Sequence, residues 1–221
     1  MQRIEELGLN NLKIYQDDEL YTFTSDSILL SKFASIKKHD TVADFCAGSG
    51  IVGLHLYSLN AQKIESVTLF EMQREMFDLS VKTIKINGLD GKFNAINCKV
   101  QDIGSEFYNK FSLITCNPPY MSVGHGFIDE NEQKALCRTE LALPLNELIK
   151  AISKCLKFGG RVALCHRADR LSDVICEMRK NNIEPKRLQT VSGGKKEPYL
   201  FLIEGVKGGK SGIKIEKNIE N

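Results

Sequence analysis

The run Asp44-Phe45-Cys46-Ala47-Gly48-Ser49-Gly50-Ile51-Val52-Gly53 leaves an apolar, strand-like segment (42–45) and enters a helical one (50–59). Glycines at such a turn let a ligand approach the backbone at a helix N-terminus. Gly48, Gly50 and Gly53 spell GxGxxG, and acidic Glu71 closes the next strand-like run some twenty residues on, so a dinucleotide site is one reading. Asp44, four residues before the first glycine, tilts the balance. A carboxylate there repels a pyrophosphate and suits the ammonium of an amino-acid-bearing cofactor.

Outward from this turn, short runs rich in Val, Ile and Phe recur at 42–45, 67–71, 92–97, 111–116 and 161–166. Helical stretches at 50–59, 73–86, 144–157 and 169–181 separate them, which predicts βαβ units and a parallel sheet. Two further strands, 185–191 and 199–205, follow with only a Gly193–Gly194 link and predict an antiparallel pair. The expectation is an α/β protein with a seven-stranded, mostly parallel sheet, one strand of it reversed, and a small N-terminal extension. In that extension 12–16 and 20–23 are expected to form a hairpin, and a helix to begin at Ser25 with Asp26 in its first turn. The chain divides into an extension over 1–40, a catalytic domain over 41–206 and a Lys-rich tail over 207–221, expected to fray beyond Gly212.

Composition excludes several classes. The chain has 221 residues, enough to bury a real core, with 42% hydrophobic and 26% charged residues, so neither disorder nor a fibrous repeat is expected. Net charge is +2, too balanced to hold nucleic acid by bulk charge. The longest apolar run, 199–203, falls far short of the roughly 18 residues of a membrane helix. The first ten residues carry Arg3, Glu5 and Glu6 and offer no signal-peptide core. Seven cysteines without a CxxC read as reduced thiols, neither disulfide framework nor metal site, in a cytoplasmic protein. A monomer without metal is expected.

A second motif, Asn117-Pro118-Pro119-Tyr120, follows the fourth strand directly. Two prolines stiffen the backbone and remove donors, leaving carbonyl acceptors in a rigid frame. The Asn117 carbonyl and the Pro118 carbonyl can each accept one N–H of a planar amine while Tyr120 stacks on its plane. Glu71, acceptor-only, suits ribose hydroxyls, and Asp102, after the third strand, suits an adenine amino group.

The D-x-x-x-G-x-G of Asp44, Gly48 and Gly50 resembles the first motif of the class I, Rossmann-like S-adenosylmethionine methyltransferases. The NPPY of 117–120 resembles the fourth motif of those that methylate exocyclic or amide nitrogens. The resemblance implies S-adenosylmethionine held by Asp44, Ala47, Gly48, Gly50, Glu71, Asp102 and Asn117, and direct in-line transfer to a nitrogen read by Asn117, Pro118, Pro119 and Tyr120. Further segments, at 23–35, 137–140, 165–171 and 193–210, resemble the valine-tRNA adenine N6-methyltransferases, which modify the adenine just 3′ of the anticodon. That likeness implies Ser25 and Asp26 at the cofactor's methionine end and Arg138 and Glu140 on the substrate side. Family members commonly have A-R-H-E where this chain has Cys137, Arg138, Thr139 and Glu140.

Arg179, Lys180, Lys186, Arg187, Lys195 and Lys196, with Lys207, Lys210 and Lys214, suggest a phosphate-contacting edge for RNA. The glycine-bearing loop after Tyr120 suits a lid over a splayed-out base, and His125 in it is a candidate substrate contact. Guanine N2 of ribosomal RNA and the glutamine amide of a protein stay open as substrates. A nicotinamide oxidoreductase would explain Glu71 and the glycines but neither Asp44 nor NPPY. A non-catalytic adapter has no need of an amine-reading loop. A DNA adenine methyltransferase would need a target-recognition domain for which the chain has no room.

Overall fold

The computed structural model describes residues 1–7, 10–20, 22–119, 143–194 and 196–221. In chain order the elements are β1 (Gln2–Glu6), β2 (Lys13–Asp17), α1 (Ser25–Phe33), β3 (Asp40–Phe45), α2 (Ile51–Asn60), β4 (Ile64–Glu71), α3 (Arg74–Ile86), β5 (Phe93–Asn97) and β6 (Phe111–Cys116). They continue with α4 (Leu145–Cys155), β7 (Leu156–Arg167), α5 (Leu171–Lys180), β8 (Ile183–Ser192), β9 (Pro198–Lys207), β10 (Lys214–Ile215) and β11 (Ile219–Glu220).

The main sheet runs β10-β8-β9-β7-β6-β3-β4-β5, with β11 also on β8. Strands β7, β6, β3, β4 and β5 pair parallel, and β9 pairs antiparallel with both β7 and β8. The seven expected strands and the single reversed one are therefore present. Side chains alternate across the sheet, as the two-residue strand period requires. Val42, Leu113, Ala163 and Cys165 face one apolar layer with Leu30 and Phe33 of α1 and Leu54 of α2. Ala43, Phe45, Ile114 and Cys116 face the other, with Leu148 and Ile152 of α4 and Val174 and Met178 of α5. Strands covered on both faces read as nearly continuous apolar runs, which is why they stood out in sequence. The order of the strands switches direction at β3, which lies between β4 and β6, leaving a crevice at the carboxyl ends of the strands where open α/β sheets bind ligands.

Two expectations at the chain ends need correction. The N-terminal hairpin pairs β2 with β1, not with 20–23. Leu20 instead buries against Met76 and Leu79 of α3, so this segment leads into α1 and does not turn back on β2. The tail beyond Gly212 is not frayed. Lys214 and Ile215 pair with Arg187 and Leu188, and Ile219 and Glu220 pair with Val191 and Ser192. A salt bridge from Arg187 to Glu216 (3.0 Å) and a hydrogen bond from the Thr190 hydroxyl to Asn218 (2.8 Å) pin it to the sheet edge. Among the described residues no helix is long and apolar enough to cross a membrane.

Candidate active site

Three chain segments meet at the carboxyl ends of β3, β4 and β6. The first is the glycine loop. Gly48 (φ 58°) and Gly50 (φ 92°) take left-handed conformations that only glycine adopts without cost. Cys46 is left-handed too (φ 56°), a strain held by the surrounding structure. The Ala47 N–H donates to the Phe70 carbonyl (3.0 Å) and the Gly50 N–H to the Ala47 carbonyl (2.8 Å), so the loop folds over the end of β4.

Two buried carboxylates set this loop. Asp44 Oδ2 accepts the Gly53 N–H at 3.0 Å, and Oδ1 accepts the Thr115 hydroxyl at 2.7 Å. The side chain has no exposed surface, and its removal from water raises its pKa to about 7 against the pull of those two donors, with Glu71 nearby adding to the rise. Glu71 Oε2 accepts the Gly48 N–H and Oε1 the Gln73 N–H, both at 2.8 Å. Burial raises its pKa as well. The Asn97 amide donates to the carbonyls of Glu71 (2.8 Å) and Met72 (3.0 Å) and fixes the corner after β4.

The third segment is the turn after β6. Leu113, Thr115 and Asn117 share one side of the strand, so Asn117 projects towards α1 and β7. Its Nδ2–H donates to Ser27 Oγ (3.0 Å), and its Oδ1 accepts the Cys165 thiol (2.9 Å). Pro118 is buried and Pro119 half-buried, a rigid exit from the strand. The first turn of α1 thus closes over Asn117 and joins the N-terminal extension to the crevice. Two acceptor-only carboxylates, a left-handed glycine turn and an amide held at the rim form a donor set for hydroxyls, a cation and an amine.

The family model described as "Methyltransferase small domain" matches residues 22–166, about two thirds of the chain. The chain belongs to the methyltransferase small domain family. The match begins just before α1, so the helix that reaches Asn117 lies inside it. Among curated relatives, a Shewanella woodyi tRNA1(Val) (adenine(37)-N6)-methyltransferase is 25% identical over 185 residues, 81% of this chain and 74% of its own. A Flavobacterium psychrophilum protein of the same name is 24% identical, covering 69% of this chain and 64% of its own. Solved structures agree on the fold. A predicted O-methyltransferase from Agrobacterium tumefaciens gives a TM-score of 0.69 at 16% identity, covering 88% of this chain and 86% of its own. P. horikoshii TYW2 in complex with MeSAdo gives 0.66 at 15% identity, covering 94% and 72%.

Within this methyltransferase the expected site residues fall into four groups. Asp44, Ala47, Gly48, Gly50, Glu71 and Asn117 converge at the crevice, though Asp44 lies beneath the loop with both oxygens engaged inside the protein. Asp102 sits exposed on the short turn Val100–Asp102 after β5, at the rim beyond Glu71. Asp26 is buried at the start of α1 and accepts the Tyr199 hydroxyl (3.4 Å), while Ser25 is exposed and accepts the Asn221 amide (2.8 Å). Tyr120, His125, Arg138 and Glu140 lie outside the described residues, as does the loop read as a lid. Family membership removes the oxidoreductase alternative. Several cations of the expected basic edge are engaged within the protein. Arg179 pairs with Glu184, Lys180 with Glu177, and Lys214 with Glu216. Lys207 is tied to Asn109, Ser153 and Leu156 at the amino end of β7, opposite the crevice. Ser27, Thr115 and Cys165 were not expected. Thr115 was within reach of the sequence, since strand period two puts it on the side of Asn117.

Proposed function

We propose that this methyltransferase transfers a methyl group from S-adenosylmethionine to an exocyclic amino nitrogen, adenine N6 at position 37 of a valine tRNA. The observation that carries the reading is Asn117, an amide on a proline-stiffened turn at the crevice, one strand from the glycine loop. The curated relatives' names agree with it over most of the chain. Bound S-adenosylmethionine supplies an electrophilic methyl on a sulfonium. The residues present fit that group: Glu71, with the Gly48, Gln73 and Met72 N–H groups acting on its carboxylate, keeps remaining acceptor capacity for a ribose hydroxyl, and ionised Asp44 adds negative charge beneath the loop.

The protein's own part is to orient and to stabilise charge. Asn117 Oδ1 and the Pro118 carbonyl draw the two N–H bonds of the amine and favour the positive charge that develops on its nitrogen during attack. Holding nitrogen and methyl in line supplies much of the remaining acceleration. The proton leaves to water after transfer, so no side-chain base is required. An anticodon-loop adenine is already unpaired, which lowers the cost of extruding it.

Incubation with methyl-labelled S-adenosylmethionine and unmodified total tRNA, followed by digestion to nucleosides, is expected to place the label in N6-methyladenosine. Label in N2-methylguanosine would overturn the base assigned. No label in RNA, with label appearing in a release-factor peptide instead, would overturn the RNA substrate.

A further inference from the structure

Asn117 is gripped by two side chains from outside its own loop. Ser27 comes from the first turn of α1, 90 residues away in sequence, and Cys165 from the end of β7, 48 residues away. Both are buried, at 2% and 0% exposure. A carboxamide has nearly the same shape after a half-turn that exchanges its oxygen and nitrogen. For reading an amine the exchange is not neutral. Oδ1 accepts an amine N–H, whereas Nδ2 in the same place would oppose donor to donor.

We propose that Cys165 and Ser27 are positioning residues that fix the orientation of the Asn117 amide, the thiol by donating to Oδ1 and the serine hydroxyl by accepting from Nδ2. The inference rests on the reading of Asn117 as the amine acceptor. The geometry suits the task on three counts. The two partners hold opposite ends of the amide, so a half-turn costs the thiol bond to Oδ1, leaves Nδ2 facing a sulfur that is only a weak acceptor, and forces the Ser27 hydroxyl to change from acceptor to donor. Oδ1 has two lone pairs, and the thiol uses one, leaving the other for substrate. The thiol also stays protonated at working pH, because burial holds it well above the usual thiol range and Asp26 adds to the effect. The Ser27 bond also ties the first turn of α1, whose Leu30 and Phe33 pack into the apolar layer, to the crevice.

The test compares Cys165→Ala, which removes the donor, with Cys165→Ser, which keeps one. Cys165→Ala is expected to lower kcat on the order of 10-fold, with KM for tRNA and affinity for S-adenosylmethionine within about twofold of wild type, as loss of a transition-state contact requires. Cys165→Ser is expected to recover kcat to within about threefold, since a hydroxyl donates to the same oxygen. If alanine and serine fall alike, Cys165 acts by packing and the proposal is wrong. Unchanged kcat in Cys165→Ala also overturns it. Should Cys165→Ala fold poorly, Ser27→Ala carries the same test: a kcat loss at constant affinity supports the role, and an unchanged kcat refutes it. In an Asn117→Ala background, Cys165→Ala is expected to add nothing, because residues acting through one group are not additive. A wild-type enzyme that leaves adenine N6 unmethylated refutes the substrate reading and this inference with it. A wild-type enzyme that methylates it while Cys165→Ala matches its rate refutes this inference alone.

Discussion

Asn117→Ala is expected to lower turnover by on the order of 10²-fold or more, with affinity for S-adenosylmethionine little changed. Removing one preorganised group that stabilises developing charge costs this much in other active sites. The side chain sits in the crevice but faces α1 and β7, and its hydrogen bonds go to Ser27 and Cys165, not to the glycine loop. The glycine loop proposed to cradle the cofactor is therefore left intact. Single-turnover rates with saturating cofactor, beside calorimetric cofactor affinity, separate the two effects. Normal turnover in the variant would remove the amine-reading role. Equal losses in turnover and cofactor affinity would mean that Asn117 serves the cofactor instead.

Substitution of Asp44 strikes the other half of the site. Asp44→Ala strands two buried donors, the Gly53 N–H and the Thr115 hydroxyl, each at a cost of about 1–3 kcal/mol, and releases the glycine turn proposed to hold the cofactor. Cofactor binding is expected to be abolished. Asp44→Asn is the sharper probe, because the amide oxygen can accept from Gly53 while its NH₂ donates to the Thr115 hydroxyl. The loop then survives and only the charge is lost, so weakened cofactor binding reports the charge itself.

The same pair of proteins gives a pH test. The folded pKa of Asp44 is raised from 3.8 to about 7, so folding favours the protonated form. The stability this contributes is complete below about pH 4 and is lost as pH rises through 7. The rise corresponds to about 4 kcal/mol across that window. Cofactor-free wild type is therefore expected to lose melting temperature from pH 5 to 8 relative to Asp44→Asn. Cationic S-adenosylmethionine favours ionised Asp44, so wild-type affinity should rise with pH up to about 7 and stay flatter in Asp44→Asn. Parallel stability profiles for the two proteins would show that the carboxyl does not titrate as described.

The centre of the fold was legible because its signals are local. Glycines at 48 and 50, a strand before them, and apolar runs covered on both faces all lie within a few residues of one another. The edges were not. β1 is almost wholly exposed and carries no apolar alternation, so nothing in 2–6 announces a strand. β10 and β11 are two residues each and exist because β8 offers them an edge, with Arg187 reaching Glu216. That pairing also engages Arg187 of the expected basic edge, through an acid 29 residues away in sequence. At the site, residue types were readable and partnerships were not. Asp44 was recognisable as an acid before a glycine turn, but its burial under the loop depends on Thr115, 71 residues on. Ser27 and Cys165 lie in the segments 23–35 and 165–171 that carried the resemblance, but their bonds to Asn117 become visible only once β6, β7 and α1 are brought together.

The most direct test of the central claim uses a synthetic anticodon stem-loop of valine tRNA with adenine at position 37, beside one with purine, which lacks the 6-amino group, at that position. Methyl-labelled S-adenosylmethionine should label the first loop at N6 of residue 37 and leave the second unlabelled. Equal labelling of both loops, or label at any other atom of the first, would contradict the assignment.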